Sequence, residues 1–202
     1  GLEWGEVRRR IEQALGGLSE VRVIVFEPSG APVRGAGAHR AVEPAMSPGR
    51  AALVGLMDRY LSGLLDPSVS LLEVHKLMYF LQEAGEPLRL RVKKAAYGPY
   101  AENLRNVLAE IEGHFVSGYG DGGDAPEKPL ELLPGALTKA QAVLASLPET
   151  RRRFDQVGKL VEGFESAFGL ELLATVHWVK KYEKARTEEE VRQSTYAWGE
   201  RK

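Results

Sequence analysis

Residues 97–124 read YGPYAENLRNVLAEIEGHFVSGYGDGGD and combine a rigid turn, an amphipathic stretch and a loop of glycine and aspartate. The Tyr-Gly-Pro-Tyr turn predicts the entry into a helix, with Pro99 near the first helical turn, where proline is favoured. Apolar residues recurring at helical spacing predict the buried side of this helix: Tyr100, Leu104, Val107, Leu108, Ile111 and Phe115. From its chemistry alone, we interpret the stretch as a binding surface on a helical domain.

The glycine-rich loop at residues 118–124 has no phosphate-binding signature. It lacks the GxxxxGK[ST] pattern, and Asp121 and Asp124 would repel an anion. Its spacing does not fit an EF-hand calcium loop either. We interpret it as a flexible surface loop, and any binding role would consist of presenting Tyr119, Asp121 and Asp124 to a partner.

Charge is unevenly distributed, although the formal net charge of the chain is only −1. Residues 102–131 hold seven acidic and two basic side chains, a net charge of −5, whereas residues 151–202 hold eleven basic and nine acidic ones, or +2. An acidic patch favours a basic protein surface as the partner and disfavours direct contact with nucleic acid. The alternative is an ordinary solvated face.

Composition excludes several classes of protein. The chain has 202 residues, 44% of them hydrophobic, and no cysteine, which excludes a disulfide framework and suits a reducing compartment. No apolar run approaches the roughly 20 residues of a membrane span. The N-terminus GLEWGEVRRR is polar and amphipathic and does not resemble a signal peptide. We therefore expect a cytoplasmic protein without membrane contact.

No catalytic or metal-binding pattern is recognisable. The four histidines do not follow the HxxxH or HExxH spacing of metal ligands: His39, His75, His114 and His177. There is no GxSxG motif, no cysteine nucleophile and no paired-carboxylate motif. We expect no catalytic residue, no metal and no cofactor.

The N-terminal part predicts an incomplete domain. Helical periodicity up to Leu15 is followed by a buried strand at residues 21–26, and one helix with one strand cannot bury both faces of a sheet. Residues 1–28 are therefore predicted to be the last αβ unit of a larger α/β domain. Residues 29–47, rich in Pro, Gly and Ala, predict a linker, and residues 48–202 predict the main domain.

The main domain reads as mainly α, a compact multi-helix domain with a small β element. A helix follows Pro48, and a capping box at Ser70 and Glu73 opens a central core helix that Gly85 ends. His75 and Lys76 lie within that helix, and His75 is interpreted as a buried or boundary structural residue. The alternating LRLRV at residues 88–92 predicts a short strand.

Three more helix starts are predicted near the C-terminus. A capping box at residues 146–149 opens a long helix that reaches Phe168 and that Gly169 caps. A further helix covers residues 170–184. The motif Thr-Glu-Glu-Glu at residues 187–190 caps a last helix.

Two segments together resemble DarG, the antitoxin of the DarT–DarG toxin–antitoxin system. GLEWGEVRRRIEQAL and VRVIVFEP resemble the C-terminal helix and strand of a macrodomain. The block HKLMYFLQEAGEPLRLRVKKAAYGPYAENLRNVLAEIEGHFVSGYGDGGDAPEKPLELLPGA resembles the C-terminal domain of DarG, and TVHWVKKYEKARTEEEV also fits. KLMYF followed by YGP is broadly similar to Panacea-type antitoxin domains.

The resemblance implies a toxin-binding module. In this family the macrodomain removes ADP-ribose from thymidine in DNA, and the C-terminal domain binds the toxin DarT on its DNA-binding surface. We expect most of the macrodomain to be missing here, so no catalytic residue is carried over and the chain is expected not to be an enzyme. An acidic surface agrees with mimicry of DNA. The candidate partner-binding residues are Tyr97, Tyr100, Glu102, Asn103, Tyr119, Asp121 and Asp124.

Two alternatives stay open. The chain could be an ADP-ribosyl hydrolase acting through the residual macrodomain, or it could bind DNA directly through its basic C-terminal helices. The expected partner is a cognate DarT-like toxin.

Overall fold

The computed structural model describes residues 4–16, 42–63, 68–120 and 122–199. Within them it contains eight α-helices and five short strands, so the predicted mainly α fold with a small β element is confirmed. In chain order the elements are α1 (Trp4–Leu15), α2 (Pro48–Ser62), β1 (Val69–Ser70), α3 (Leu71–Glu83), β2 (Val92–Ala95), β3 (Gly98–Ala101), α4 (Leu104–Ile111), β4 (Val116–Ser117), β5 (Pro129–Leu132), α5 (Ala136–Ala145), α6 (Pro148–Val161), α7 (Ala167–Lys181) and α8 (Glu188–Gly199).

Helix α1 forms where the periodicity predicts it, and none of its residues is buried. Ion pairs one turn apart, Arg8 with Glu12 and Arg10 with Glu6, line its polar side. The predicted strand at residues 21–26 and the linker as far as residue 41 lie outside the described residues. The assignment of residues 1–28 to a larger α/β domain therefore stays a prediction.

Helix α3 is the centre of the domain, as predicted. The capping box is present, because the Ser70 side chain accepts a hydrogen bond from the Glu73 amide and the Glu73 side chain accepts one from the Ser70 amide. All eleven residues from 71 to 81 are buried, a pattern possible only for a helix covered on every side. Helices α2, α6 and α7 and strand β3 pack around it.

The β structure of the described residues consists of two small antiparallel sheets. Strands β1, β5 and β4 form one, in which Val69 pairs with Leu130 and Val116 with Leu132. Strands β2 and β3 form a separate hairpin. No helix of the described part of the chain combines the length and apolarity that crossing a membrane would require.

The strand predicted at residues 88–92 is wrong, because strand pairing begins only at Val92. The backbone before it makes one backbone hydrogen bond to the chain that follows β3, from the Glu102 N–H to the Arg91 carbonyl at 3.0 Å, and is also held by side-chain amides. The Gln82 amide donates to the Leu90 carbonyl at 3.0 Å and accepts from the Leu90 N–H at 2.6 Å. The alternation of apolar residues thus correctly indicated an extended backbone at this segment, but it could not show which groups the backbone bonds to.

The helix predicted to start at the Tyr-Gly-Pro-Tyr turn is also misplaced. These residues close the hairpin, in which Lys94 faces Pro99 and Ala95 faces Gly98, and α4 begins only at Leu104. Gly98 has a φ of +81°, which is incompatible with a helical turn at this position. Tyr100 is therefore a strand residue and does not belong to the buried stripe of α4.

The long helix predicted to reach Phe168 is divided in two. Ser146 does not cap it, because its hydroxyl donates to the Val143 carbonyl of the preceding helix. Helix α6 ends at Val161, and α7 starts after Ser166, whose hydroxyl accepts from the Gly169 amide. Gly169 therefore lies in the first turn of α7 and does not cap a helix end. The predicted cap of α8 by Thr187 and Glu190 is confirmed.

Candidate protein-binding surface around the β2–β3 hairpin

A buried lysine attaches the hairpin to the core. The Lys76 ammonium donates to the Pro99 carbonyl at 2.7 Å, and the side chain is buried. Burial lowers its pKa to about 8, although the nearby Glu171 carboxylate acts in the opposite direction. A cation within the apolar run LLEVHKLMYFL is rarely buried without a specific partner, and this was the signal in the sequence for the anchoring role.

The neighbouring histidine supports the same hairpin. The His75 ring stacks on Tyr100, with ring centroids 4.3 Å apart and an interplanar angle of 18°. Its Nδ1 accepts a hydrogen bond from the Ala101 amide at 3.3 Å. Burial lowers the pKa of His75 to about 3, and the Lys76 charge adds to the effect, so the ring is neutral at pH 7. The structural role expected for His75 thus serves the hairpin directly.

Helices α7 and α8 hold the other side of the hairpin. A Cβ atom at Gly98 would lie 2.9 Å from the Thr175 hydroxyl of α7, so only glycine allows this close approach. The Trp198 indole of α8 donates to the Ala95 carbonyl at 2.8 Å. The Lys94 ammonium lies 4.0 Å from the centroid of the Trp198 ring, a cation–π contact.

Three of the predicted contact residues meet beside these anchors. Tyr97, Tyr100 and Asp124 line one small cavity of about 50 Å³ together with His75 and Lys76. Cavities that bind small molecules usually have about 300–1,000 Å³, so this one has room for only a few waters. The arrangement suits contact with a protein surface better than the binding of a nucleotide.

The two tyrosines differ in exposure. Tyr97 stands at the hairpin turn with 43% of its surface exposed. Tyr100 is half-buried, and burial together with the nearby charge of the exposed Asp124 raises its pKa. The cavity therefore has an accessible aromatic side chain on its rim and a half-buried tyrosine close to an exposed carboxylate.

Glu102 and Asn103 are engaged within the molecule. Glu102 forms an ion pair with Lys93 across the hairpin, and this hydrogen bond lowers the pKa of Glu102. The Asn103 amide accepts from the Arg91 N–H at 2.8 Å and donates to the Arg89 carbonyl at 3.0 Å. Asn103 therefore fixes the segment before the hairpin.

The predicted surface presentation of Tyr119 is wrong, because only 2% of its surface is exposed. The Lys128 ammonium donates to the Tyr119 carbonyl at 2.6 Å and lies 5.3 Å from the ring centroid. The Glu112 carboxylate accepts from the amides of Gly118 and Tyr119, which turns the loop toward the core. Asp121 lies outside the described residues, so its predicted role cannot be located.

The acidic stretch at residues 102–131 is partly neutralised by distant parts of the chain. Glu110 forms an ion pair with Arg50 of α2, as Glu102 does with Lys93 of β2. Glu112 binds the loop amides described above. Asp124 and Glu127 are exposed, and no lysine or arginine of the described chain forms an ion pair with either of them. In the described ranges, no three His, Asp or Glu side chains are grouped as a metal site would require.

Comparison with known proteins places the chain beside one group of enzymes. No protein-family model matches it. It is 42% identical over 206 residues to the DNA ADP-ribosyl glycohydrolase of Thermus aquaticus, covering 100% of this chain and 55% of that protein. It is 35% identical over 215 residues to proteins of the same name from Mycobacterium tuberculosis and Mycobacterium bovis, covering 100% of this chain and 60% of theirs. The chain spans little more than half the length of these relatives. Its resemblance to the DNA ADP-ribosyl glycohydrolases of the DarG family is therefore confirmed along its whole length.

Proposed function

We propose that residues 48–202 are an antitoxin module that binds a DarT-type DNA ADP-ribosyltransferase and covers its single-stranded DNA-binding surface. The observation that carries this proposal is the anchored hairpin, in which the buried Lys76 and His75 fix a turn that exposes Tyr97. A surface that is rigid before binding loses less conformational entropy in the complex. Tyrosine is also enriched among the residues that dominate binding energies.

Charge supports the choice of partner. The exposed carboxylates of Asp124 and Glu127 lie on one segment beside the hairpin cavity and match the basic groove of a DNA-binding enzyme. We assign the mimicry of DNA phosphates to these two residues, because Glu102 and Glu110 already form ion pairs with Lys93 and Arg50. Toxin binding should then weaken as salt is added.

A direct test uses the 202-residue chain and a purified DarT-type toxin with single-stranded DNA as substrate. The chain should stop DNA ADP-ribosylation at a ratio of about one to one, as expected when each copy blocks one toxin molecule. Combining Tyr97→Ala with Asp124→Asn should weaken binding about tenfold or more, since each change removes an interface contact. Tyr196→Ala is the matched control, because Tyr196 of α8 is 69% exposed and does not line the cavity.

The same assay separates the module from a glycohydrolase. The relatives are DNA ADP-ribosyl glycohydrolases by name, which favours ADP-ribosyl hydrolysis as the second candidate function. The chain is therefore also incubated with DNA that already carries ADP-ribose, after the toxin has been removed. Release of ADP-ribose would support the enzyme, whereas one-to-one inhibition without release supports the module. Full toxin activity in the presence of excess chain would reject the module.

A further inference from the structure

Several large apolar side chains remain exposed where α6 meets α7. We call Leu160, Phe164, Phe168 and Leu172 the α6–α7 corner; their exposed fractions are 44%, 38%, 75% and 38%. Single exposed apolar residues are common, but a group of them marks a contact surface more often than not.

The corner residues belong to one local structure. The carbonyl of Phe164 accepts a hydrogen bond from the Ser166 amide at 2.7 Å, in the turn that leads into α7. A Cβ atom at Gly169 would lie 2.8 Å from that same carbonyl, so the turn lies against the start of the helix. Phe168 and Leu172 are one helical turn apart and share a face of α7.

The segment that forms the corner is acidic between Leu160 and Val179. Residues 160–179 contain three acidic side chains, Glu162, Glu165 and Glu171, and no lysine or arginine. Within the described part of the chain, neither Glu162 nor Glu165 forms an ion pair with a lysine or arginine, whereas the Glu171 carboxylate interacts with the charge of Lys76. Glu165 accepts only from the Gly163 amide, at 2.8 Å, which leaves its charge in place.

An acidic cleft adjoins the corner at Glu165 and Ser166. It has a volume of about 270 Å³, and its lining includes the carboxylates of Glu73, Glu127 and Glu165. This volume is below the usual range for whole small-molecule ligands, so it suits one or two inserted side chains. Three carboxylates around such a cleft favour a cationic side chain.

The corner is continuous with the hairpin surface. The segment at residues 124–127 runs from the hairpin cavity, which Asp124 lines, to the acidic cleft, which Glu127 lines. Helix α7 forms a second connection, because its Glu171 carbonyl and Thr175 hydroxyl lie against Gly98. One protein partner can therefore reach both surfaces.

We infer that the α6–α7 corner and its cleft bind a protein segment that presents a lysine or arginine next to large apolar side chains. The inference rests on the proposed function, because it places that segment on the toxin. A second copy of this chain is the less favourable occupant, since two corners would bring like charges together. Nucleic acid is disfavoured for the same reason.

The test is calorimetric titration of the full chain with the purified DarT-type toxin. Phe168→Ser combined with Leu172→Ser should raise the dissociation constant about tenfold or more, as expected for the loss of apolar anchors. Glu127→Gln should reduce the dependence of binding on salt, because it removes one charge from the cleft. The matched controls are Tyr196→Ser and Glu188→Gln on α8, which should leave both quantities unchanged. Circular dichroism melting verifies that each variant folds.

The outcomes separate the two proposals. Unchanged affinity of the corner variant, with weaker binding of the hairpin variant, overturns this inference and leaves the proposed function intact. Failure of the unmodified chain to bind the toxin rejects both proposals. A dimer in sedimentation that the corner substitutions dissolve would assign the corner to a second copy and would also overturn the inference.

Discussion

Two acidic stretches of the chain behave differently once they are folded. Residues 102–131 carry a net charge of −5, yet Glu102 and Glu110 form ion pairs with lysine and arginine from other elements. Residues 160–179 carry only −3, but in the described chain no lysine or arginine forms an ion pair with Glu162 or Glu165, and only Glu171 lies near a cation, the buried Lys76. The net charge of a sequence segment therefore counts its ionisable side chains, whereas the fold determines how many of those charges are available to a partner.

The hairpin and the α6–α7 corner also differ in which side chains they bury. The hairpin has polar side chains beneath it, Lys76 and His75, whose burial costs free energy that their contacts offset. The corner leaves apolar side chains in water. Substitutions should therefore change the free energy of unfolding strongly at the hairpin and weakly at the corner.

The largest effect is expected for Gly98→Val. The new side chain would lie 2.9 Å from the Thr175 hydroxyl at a φ of +81°, so both crowding and backbone strain oppose it. We expect the free energy of unfolding to fall by about 3 kcal/mol in urea denaturation. Gly120→Ala is the control, because nothing lies within 4 Å of its Cβ position and its φ is +57°. An equal loss in both variants would show that close packing at Gly98 is not the cause.

His75 should make the protein sensitive to acid. Its pKa is lowered from 6.5 to about 3 by burial, so the unfolded chain binds the extra proton between these values. Stability is then complete above pH 6.5 and is lost as the pH falls toward 3. Between pH 7 and pH 4 the loss should be about 3 kcal/mol larger in the unmodified chain than in His75→Gln. Parallel pH profiles of the two proteins in urea denaturation would contradict this role.

Lys76 should act in the alkaline range. Its pKa is lowered from 10.5 to about 8, so the unfolded chain binds more protons between these values and stability should rise with pH there. From pH 7 to pH 10 the gain should be about 2 kcal/mol relative to Lys76→Met, whose side chain does not titrate. Tyrosine titration contributes equally to both proteins, so it cancels in the difference between their free energies of unfolding. A constant difference between the two proteins across this range would mean that Lys76 is not desolvated.

The smallest effect is expected at the corner. Phe168 is 75% exposed, so Phe168→Ser should change the free energy of unfolding by less than about 0.5 kcal/mol. Binding of the dye ANS, which reports exposed apolar surface, should decrease. A loss as large as that of Gly98→Val would show that the corner belongs to the core.

Features that depend on residues close together in the chain were predictable from the sequence. The capping box at Ser70 and Glu73 and the core helix that follows it depend on residues a few positions apart, and both are found. The helix placed at the Tyr-Gly-Pro-Tyr turn failed because the hairpin depends on Lys76 and Thr175, which are distant in the sequence. Tyr119 failed for a similar reason, since the carboxylate of Glu112 and the ammonium of Lys128 fold its loop inward.

The central claim is that one continuous surface, from the hairpin to the α6–α7 corner, binds the toxin. Hydrogen exchange of the chain, measured by mass spectrometry with and without the DarT-type toxin, tests it most directly. We expect slower exchange at residues 95–101, 122–127 and 160–172, with α5 as the unaffected reference. The claim would be contradicted if the toxin binds but exchange slows only in α1 or α8, or if exchange slows in none of these three segments.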